Sequence, residues 1–198
     1  MISIVNYQAS NLRSVKKALD YLGYESEITT DPDQVRRAEK VILPGVGHFA
    51  ATEVMARTGL RDAISEVIRR GAPFLGICVG MQWIFAASEE APQISGLELF
   101  SGACRRFPAG AKVPHVGWNS LDITRPSRLL AGVEPGAFVY YTHSYRAPVC
   151  DGTVAITDYE GPFTAAVERD NVFGVQFHPE KSAEVGLKIL NNFGALRC

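Results

Sequence analysis

Short apolar runs alternate with amphipathic stretches along the first half of the chain, and few folds accommodate that rhythm. Ile2–Val5 is a compact β run. Ser10 or Asn11 can cap a helix that carries Leu12, Val15, Leu19 and Leu22 on one face and ends at Gly23. Residues 25–29 read as a second strand, and Asp31-Pro32-Asp33 opens a short helix. Residues 40–43 form a buried strand stopped by Pro44-Gly45. The next helical stretch runs to Arg70 and stops at Gly71. Residues 74–77 are another strand, broken at Cys78, and a helix from Val79 to about Ala87 follows. A βαβα succession of this kind predicts a parallel sheet with helices on both faces. The second half is β-rich over 98–107, 112–124, 137–146, 152–159 and 163–177, with Gly/Pro turns between, and Ser182 begins a closing helix through Phe193. No repeat, low-complexity tract or linker interrupts it. The reading is α/β: a single domain over 1–198 with a central, mostly parallel mixed sheet flanked by helices.

Composition narrows the function classes. At 46% hydrophobic and 21% charged residues the chain is an ordinary globular one. A formal net charge of −1 gives no basis for nucleic acid or an anionic membrane as partner. No apolar run is long enough to span a bilayer, and the N-terminus lacks the pattern of a signal peptide. The four cysteines, Cys78, Cys104, Cys150 and Cys198, are scattered without a CxxC, which reads as free thiols in a reducing cytoplasm. The four histidines are far apart in sequence and no carboxylate stands at ligand spacing, so no metal is expected.

The most informative local pattern is Gly76-Ile77-Cys78-Val79-Gly80, where an apolar strand passes directly into a helix. This is the cysteine counterpart of a nucleophile elbow: flanking glycines permit a strained turn that presents the central side chain at the sheet's edge. A helix N-terminus there favours a thiolate, and the Val79 N–H points where a tetrahedral oxyanion would form. The same pattern also fits a buried structural cysteine, so it needs a base beside it.

A base stands at the end of another apolar run, in Gln176-Phe177-His178-Pro179-Glu180. Residues two apart in extended backbone share a side, and Pro179 favours extended backbone before it. Glu180 can then hold one imidazole nitrogen while the other faces a thiol, which is triad logic. Alone, a strand-terminal His-Pro-Glu is more commonly a surface turn; joined to the elbow, the balance reverses. His48, His115 and His143 read as packing or hydrogen-bonding residues.

The elbow through Gln82, the loop Pro44-Gly45-Val46-Gly47 and the His178-Pro179-Glu180 terminus together resemble the class I (triad) glutamine amidotransferases. Within that family the chain is most similar to the glutaminase subunits of imidazole glycerol phosphate synthase. Pro44-Gly45-Val46-Gly47-His48-Phe49, Pro114-His115-Val116-Gly117-Trp118-Asn119, Tyr141-Thr142-His143-Ser144-Tyr145 and His178-Pro179-Glu180-Lys181-Ser182 carry that similarity along nearly the whole chain. The resemblance implies a flavodoxin-like fold, no cofactor, and L-glutamine as substrate. It makes Cys78 the nucleophile, His178 the acid–base and Glu180 its orienter. It places the oxyanion between Val79 and the Val46–Gly47 peptide region, with glycines that ease a peptide flip. It puts Gly45, Gln82, Glu90, Ser144 and Tyr145 against the substrate.

The resemblance also implies a heterodimer with a (β/α)8-barrel cyclase that receives the ammonia. Asn11, Ser14, His115, Trp118 and Asn119 would lie toward that partner. Other readings of the same residues stay open: Glu89-Glu90 as a solvated acidic helix end, Tyr141 and Tyr145 as core aromatics, and Trp118 as core. The first loop departs from the family's glycines, reading Asn6-Tyr7-Gln8-Ala9-Ser10-Asn11. A paralogue feeding another synthase, or a silent interaction domain, are the rival functions.

Overall fold

The computed structural model describes residues 1–7 and 11–197; the loop Gln8-Ala9-Ser10, with the capping option at Ser10, lies outside them. The first half alternates as its sequence rhythm requires: β1 (Ile2–Val5), α1 (Leu12–Tyr21), β2 (Ser26–Thr29), α2 (Pro32–Arg37), β3 (Lys40–Gly45), α3 (Glu53–Thr58), α4 (Leu60–Arg69), β4 (Phe74–Cys78) and α5 (Val79–Trp83). The second half supplies β5 (Phe85–Ser88), β6 (Phe100–Arg106), β7 (His115–Ser120), β8 (Asp122–Ile123), β9 (Phe138–His143), β10 (Tyr145–Arg146), β11 (Thr153–Asp158), β12 (Pro162–Arg169), β13 (Val172–Val175) and α6 (Ala183–Ala195).

The main sheet has eight strands in the order β2-β1-β3-β4-β13-β12-β11-β8. The first five run parallel, and β12, β11 and β8 are antiparallel additions. Strands β1, β3, β4 and β13 are apolar almost throughout because both faces are covered. The late strand β13 inserts beside β4, pairing Val175 with Ile77. The carboxyl ends of β3, β4 and β13 therefore lie together, although they come from distant parts of the sequence.

Local expectations fail in four places, each for a visible reason. Pro44 does not stop β3: the ladder continues through Pro44↔Ile77 to Gly45↔Cys78. The stretch before Arg70 is two helices, parted at Gly59, whose φ of 78° is left-handed. The helix after Cys78 ends at Trp83 rather than near Ala87, because residues 85–88 pair with β6 instead. Asn11 occupies the N-cap position of α1 with φ 74° but makes no side-chain cap, and its side-chain Nδ2 donates to Glu180 instead. By contrast Asp31 caps α2 as its sequence predicts, accepting from Asp33 N at 2.8 Å with Pro32 in the first turn.

Beside the sheet, β7 and β9 form a two-stranded ribbon that pairs Trp118 with Tyr140 and His115 with His143. The alternation of this ribbon buries His115, Tyr141 and His143 on one side and exposes Val116, Trp118 and Phe138 on the other. His115 stacks between the rings of Tyr141 and Tyr159, with centroids 4.9 and 4.0 Å away. Burial pushes the pKa of His115 down to about 4 and that of His143 down to about 3. Between pH 6.5 and those values the unfolded chain binds protons that the folded chain does not. Stability must then fall as pH falls, by up to about 1.4 kcal/mol per pH unit for each histidine. Urea midpoints measured at pH 7 and pH 5 check this; an unchanged midpoint would contradict it.

Candidate active site

The elbow is real and strained. Cys78 sits at φ 53°, ψ −108°, outside the regions that side-chain-bearing residues favour. It is held there by close packing around it. A Cβ at Gly80 would lie 1.9 Å from the carbonyl oxygen of Leu43, and one at Gly76 would lie 2.5 Å from that of Gly80. Only glycine lets α5 start directly over β3 and β4. At Gly45 a Cβ would meet the Tyr7 hydroxyl at 2.3 Å and the Val79 Cβ at 2.7 Å.

His178 arrives from the adjacent strand. Its backbone N–H donates to Tyr140 O at 2.8 Å, and Ser182 Oγ donates to its carbonyl at 2.7 Å. The segment after it is not extended, as the sequence reading had it: Pro179–Lys181 is one 3-10 turn. That turn, rather than strand alternation, swings Glu180 Oε1 to 2.8 Å from His178 Nδ1. A carboxylate accepts, so Nδ1 carries the proton and Nε2 is left for other chemistry. Asn11 donates its side-chain amide to the same Oε1.

Burial works to lower the pKa of His178, but the charge of Cys78, hydrogen bonding to it and the Glu180 carboxylate outweigh burial and raise it to about 10. Nε2 has no hydrogen-bond partner of full geometry among the described residues. The ring thus faces the thiol through a contact that raises its pKa without being aligned as a full hydrogen bond.

A cavity of about 180 Å³ opens over the thiol. Val46, Gly47, Cys78, Val79, Gln82, Glu90, Ser144 and Tyr145 line it, together with Pro114, Thr142 and His143. Gln82 is fixed within its wall, donating from Nε2 to Tyr145 O at 2.8 Å and to Gln176 Oε1 at 3.1 Å. Glu90 is not a solvated helix end: its Oε2 accepts from Phe49 N at 2.8 Å at the cavity's rim. Its neighbour Glu89 takes the solvated role, next to Arg105 and the Arg106 amide. Larger hollows of about 420 and 460 Å³ lie elsewhere on the surface, lined by neither cysteine nor histidine.

The family model for glutamine amidotransferase class-I matches residues 3–195. The chain belongs to this family. Class-I amidotransferase relatives are similar over nearly their full length. The imidazole glycerol phosphate synthase subunit HisH of Moorella thermoacetica is 49% identical, over 98% of this chain and 94% of that protein. The protein of the same name from Caldanaerobacter subterraneus subsp. tengcongensis is 47% identical, over 99% and 98%. Among solved structures, the PurLQS complex of Thermotoga maritima contains a chain with a TM-score of 0.77 at 22% identity, covering 97% of this chain and 96% of its own. A structure described as a glutamine amidotransferase has the same TM-score at 16% identity, covering 98% and 99%. The last two show the fold.

In this amidotransferase the remaining predicted residues divide. Trp118 is 52% exposed, flanked by Val116 at 55% and Phe138 at 58%, so it is a surface aromatic and not core. Asn119 lies on the same strand and donates to Asp158 O at 3.0 Å. Ser14 lines a hollow shared with Lys17 and Glu180. His115 departs from the expectation of a partner-facing residue: it is only 4% exposed, because strand alternation turns it inward from Trp118. Tyr141 is a core aromatic, its hydroxyl 2.6 Å from Thr157 Oγ1. His48 caps the 3-10 turn Phe49–Thr52, accepting from Ala50 N at 3.1 Å.

Sequence reasoning missed Tyr7, which is buried beside Gly45 and Val79. Burial and the charge of Cys78 push its phenol pKa well up. Its position two residues past β1, at the carboxyl edge of a parallel strand, was the available signal. Among the described residues no helix is long and apolar enough to cross a membrane.

Proposed function

We propose that this chain is the glutaminase subunit of an imidazole glycerol phosphate synthase, with Cys78, His178 and Glu180 as its catalytic set. The observation that carries the chemistry is the strained thiol at the mouth of a small cavity, beside a histidine whose far nitrogen is held by a buried carboxylate. The similarity of the named synthase subunits over nearly the whole chain supports the pathway.

Cys78 Sγ attacks the carboxamide carbon of L-glutamine, and the oxyanion is received by the Val79 N–H and an N–H of the Val46–Gly47 region. Protonated His178 gives its Nε2 proton to the leaving nitrogen, so the C–N bond breaks and ammonia departs. Water, deprotonated by His178, then cleaves the thioester to glutamate and free thiol. Glu180 keeps the imidazole in the tautomer that both steps need. Glu90 serves the α-ammonium of glutamine, Gln82 shapes the cavity wall while Gly45 packs against Tyr7 and Val79 outside the lining, and Ser144 and Tyr145 present backbone groups to the α-carboxylate.

Ammonia passes to a barrel cyclase docked on the Trp118 face, with Asn11, Ser14 and Asn119 at its border. The cyclase combines it with the ribulosyl-aminoimidazole nucleotide PRFAR, giving imidazole glycerol phosphate and an aminoimidazole carboxamide ribonucleotide. The cytoplasm suits this reaction. Trp118→Ala is expected to weaken cyclase binding by about tenfold to a hundredfold, as for an exposed aromatic anchor, without altering the fold; calorimetric titration reads it. The deciding assay mixes this chain with a barrel cyclase, PRFAR and glutamine. Glutamate and imidazole glycerol phosphate should appear in equal amounts. Glutamate without the imidazole product would mean a different acceptor, and no glutamate would overturn the reading.

A further inference from the structure

The carbonyl of Tyr145 can only accept hydrogen bonds, and it anchors two chains of them whose direction is thereby determined. On one side His143 Nδ1 lies 2.9 Å away and must be the donor. The ring is deeply buried and neutral, its pKa lowered to about 3, so His143 Nε2 is an acceptor. His115 Nδ1, 3.0 Å from that nitrogen, is therefore a donor, which leaves His115 Nε2 to accept from Asn119 Nδ2 at 3.4 Å. Asn119 sits on β7 next to the exposed Trp118.

On the other side Gln82 presents its amide nitrogen to Tyr145 O at 2.8 Å. The same nitrogen donates its second hydrogen to Gln176 at 3.1 Å, so the atom it meets there must be Oε1. With the oxygen consumed, the Gln176 side chain has one way to lie. Its Nε2 points at Cys78 Sγ, 3.6 Å away. Gln176 is fully buried and has no freedom to turn.

We propose that Gln176 is a further catalytic residue of this site, a hydrogen-bond donor to the Cys78 thiolate held in that orientation by Gln82 and the Tyr145 carbonyl. This rests on the reading of Cys78 as nucleophile. The donor favours thiolate over thiol and aims the sulfur lone pairs into the cavity. A hydrogen bond to an ionised acceptor is worth more than one between neutral groups.

The test uses the full chain with Gln176→Leu and Gln176→Glu, both close in shape to the original. Alkylation of Cys78 by iodoacetamide at pH 7, followed by mass spectrometry of its peptide, should slow about tenfold in Gln176→Leu. It should slow further in Gln176→Glu, where a carboxylate replaces the donor. Unfolding cannot mimic this result, since it would expose the buried thiol and speed alkylation. With the synthase assembled, kcat for glutamine hydrolysis should fall by a similar factor and KM by less than threefold. Ring-nitrogen NMR of the unmodified chain should place the proton on Nδ1 of both His115 and His143. Unchanged alkylation in both variants would overturn the proposal. Alkylation and tautomer are read without glutamine, so a chain that never hydrolysed glutamine would sink the functional reading and leave this one decided on its own.

Discussion

Cys78→Ala is expected to reduce glutamate release from glutamine by at least about 10⁴-fold in the assembled synthase, the scale on which members of a covalent triad fail. No other described thiol can substitute. Cys104 is fully buried, with a pKa pushed well up mainly by that burial, and Cys150 hydrogen-bonds with Thr153 away from the cavity. His178 and Glu180 without the sulfur have nothing to carry the acyl group. The fold should survive, because alanine removes one sulfur from a site that already opens onto a cavity and leaves the glycine packing intact. Circular dichroism and the urea midpoint check the fold, and a coupled glutamate assay checks activity. Partner binding should also persist, since the Trp118 face lies on the ribbon and not at the elbow. Residual glutamate release within about a hundredfold of the unaltered chain would refute covalent catalysis at Cys78.

Gly80→Ala should be the most damaging single-methyl addition near the site. Its Cβ would sit 1.9 Å from Leu43 O and 3.0 Å from Leu43 C, backbone atoms of the central strand β3. Neither can rotate aside as a flexible side chain would. Relief requires α5 to lift from the sheet, which moves Val79 and the elbow together. Overpacking against backbone costs on the order of 3 kcal/mol or more. The expected result is a large drop in urea midpoint or insoluble expression, with activity lost in proportion to folded protein or beyond it. A midpoint within about 0.5 kcal/mol of the original would show that α5 has slack the packing does not suggest.

Legibility in the sequence followed the range of the interaction responsible. The strand–helix rhythm was readable because apolar periodicity is local, and Asp31-Pro32 announced α2 by cap chemistry alone. Gly59 was overlooked as a break since a glycine inside a helical pattern is often tolerated, and its left-handed φ only becomes visible with the packing of α3 on α4. Residues 85–88 have the composition of a helix end. They became a strand because β6, a later segment, offered a pairing edge. Glu180 was rightly placed with His178 but for a geometric reason that differs, the turn Pro179–Lys181 replacing extended alternation. Asn11, read as a capping residue, makes no side-chain cap and donates to the Glu180 carboxylate.

By itself the sequence determined the class of fold, the Gly-x-Cys-x-Gly turn at Cys78 and the His178–Glu180 pair as candidates, and the stretch from which a cavity would be built, because each of these is written in spacing over a few residues. The tertiary structure alone decided that β13 lies beside β4, bringing His178 to an elbow a hundred positions earlier. It alone decided that strand alternation turns His115 inward while Trp118 faces out, and that the Tyr145 carbonyl holds Gln82, which in turn leaves Gln176 Nε2 facing the thiol. The physical reason is the same in each case. Contacts between segments far apart in the chain depend on which edges pair and which faces pack, and a local pattern carries no information about its eventual neighbour.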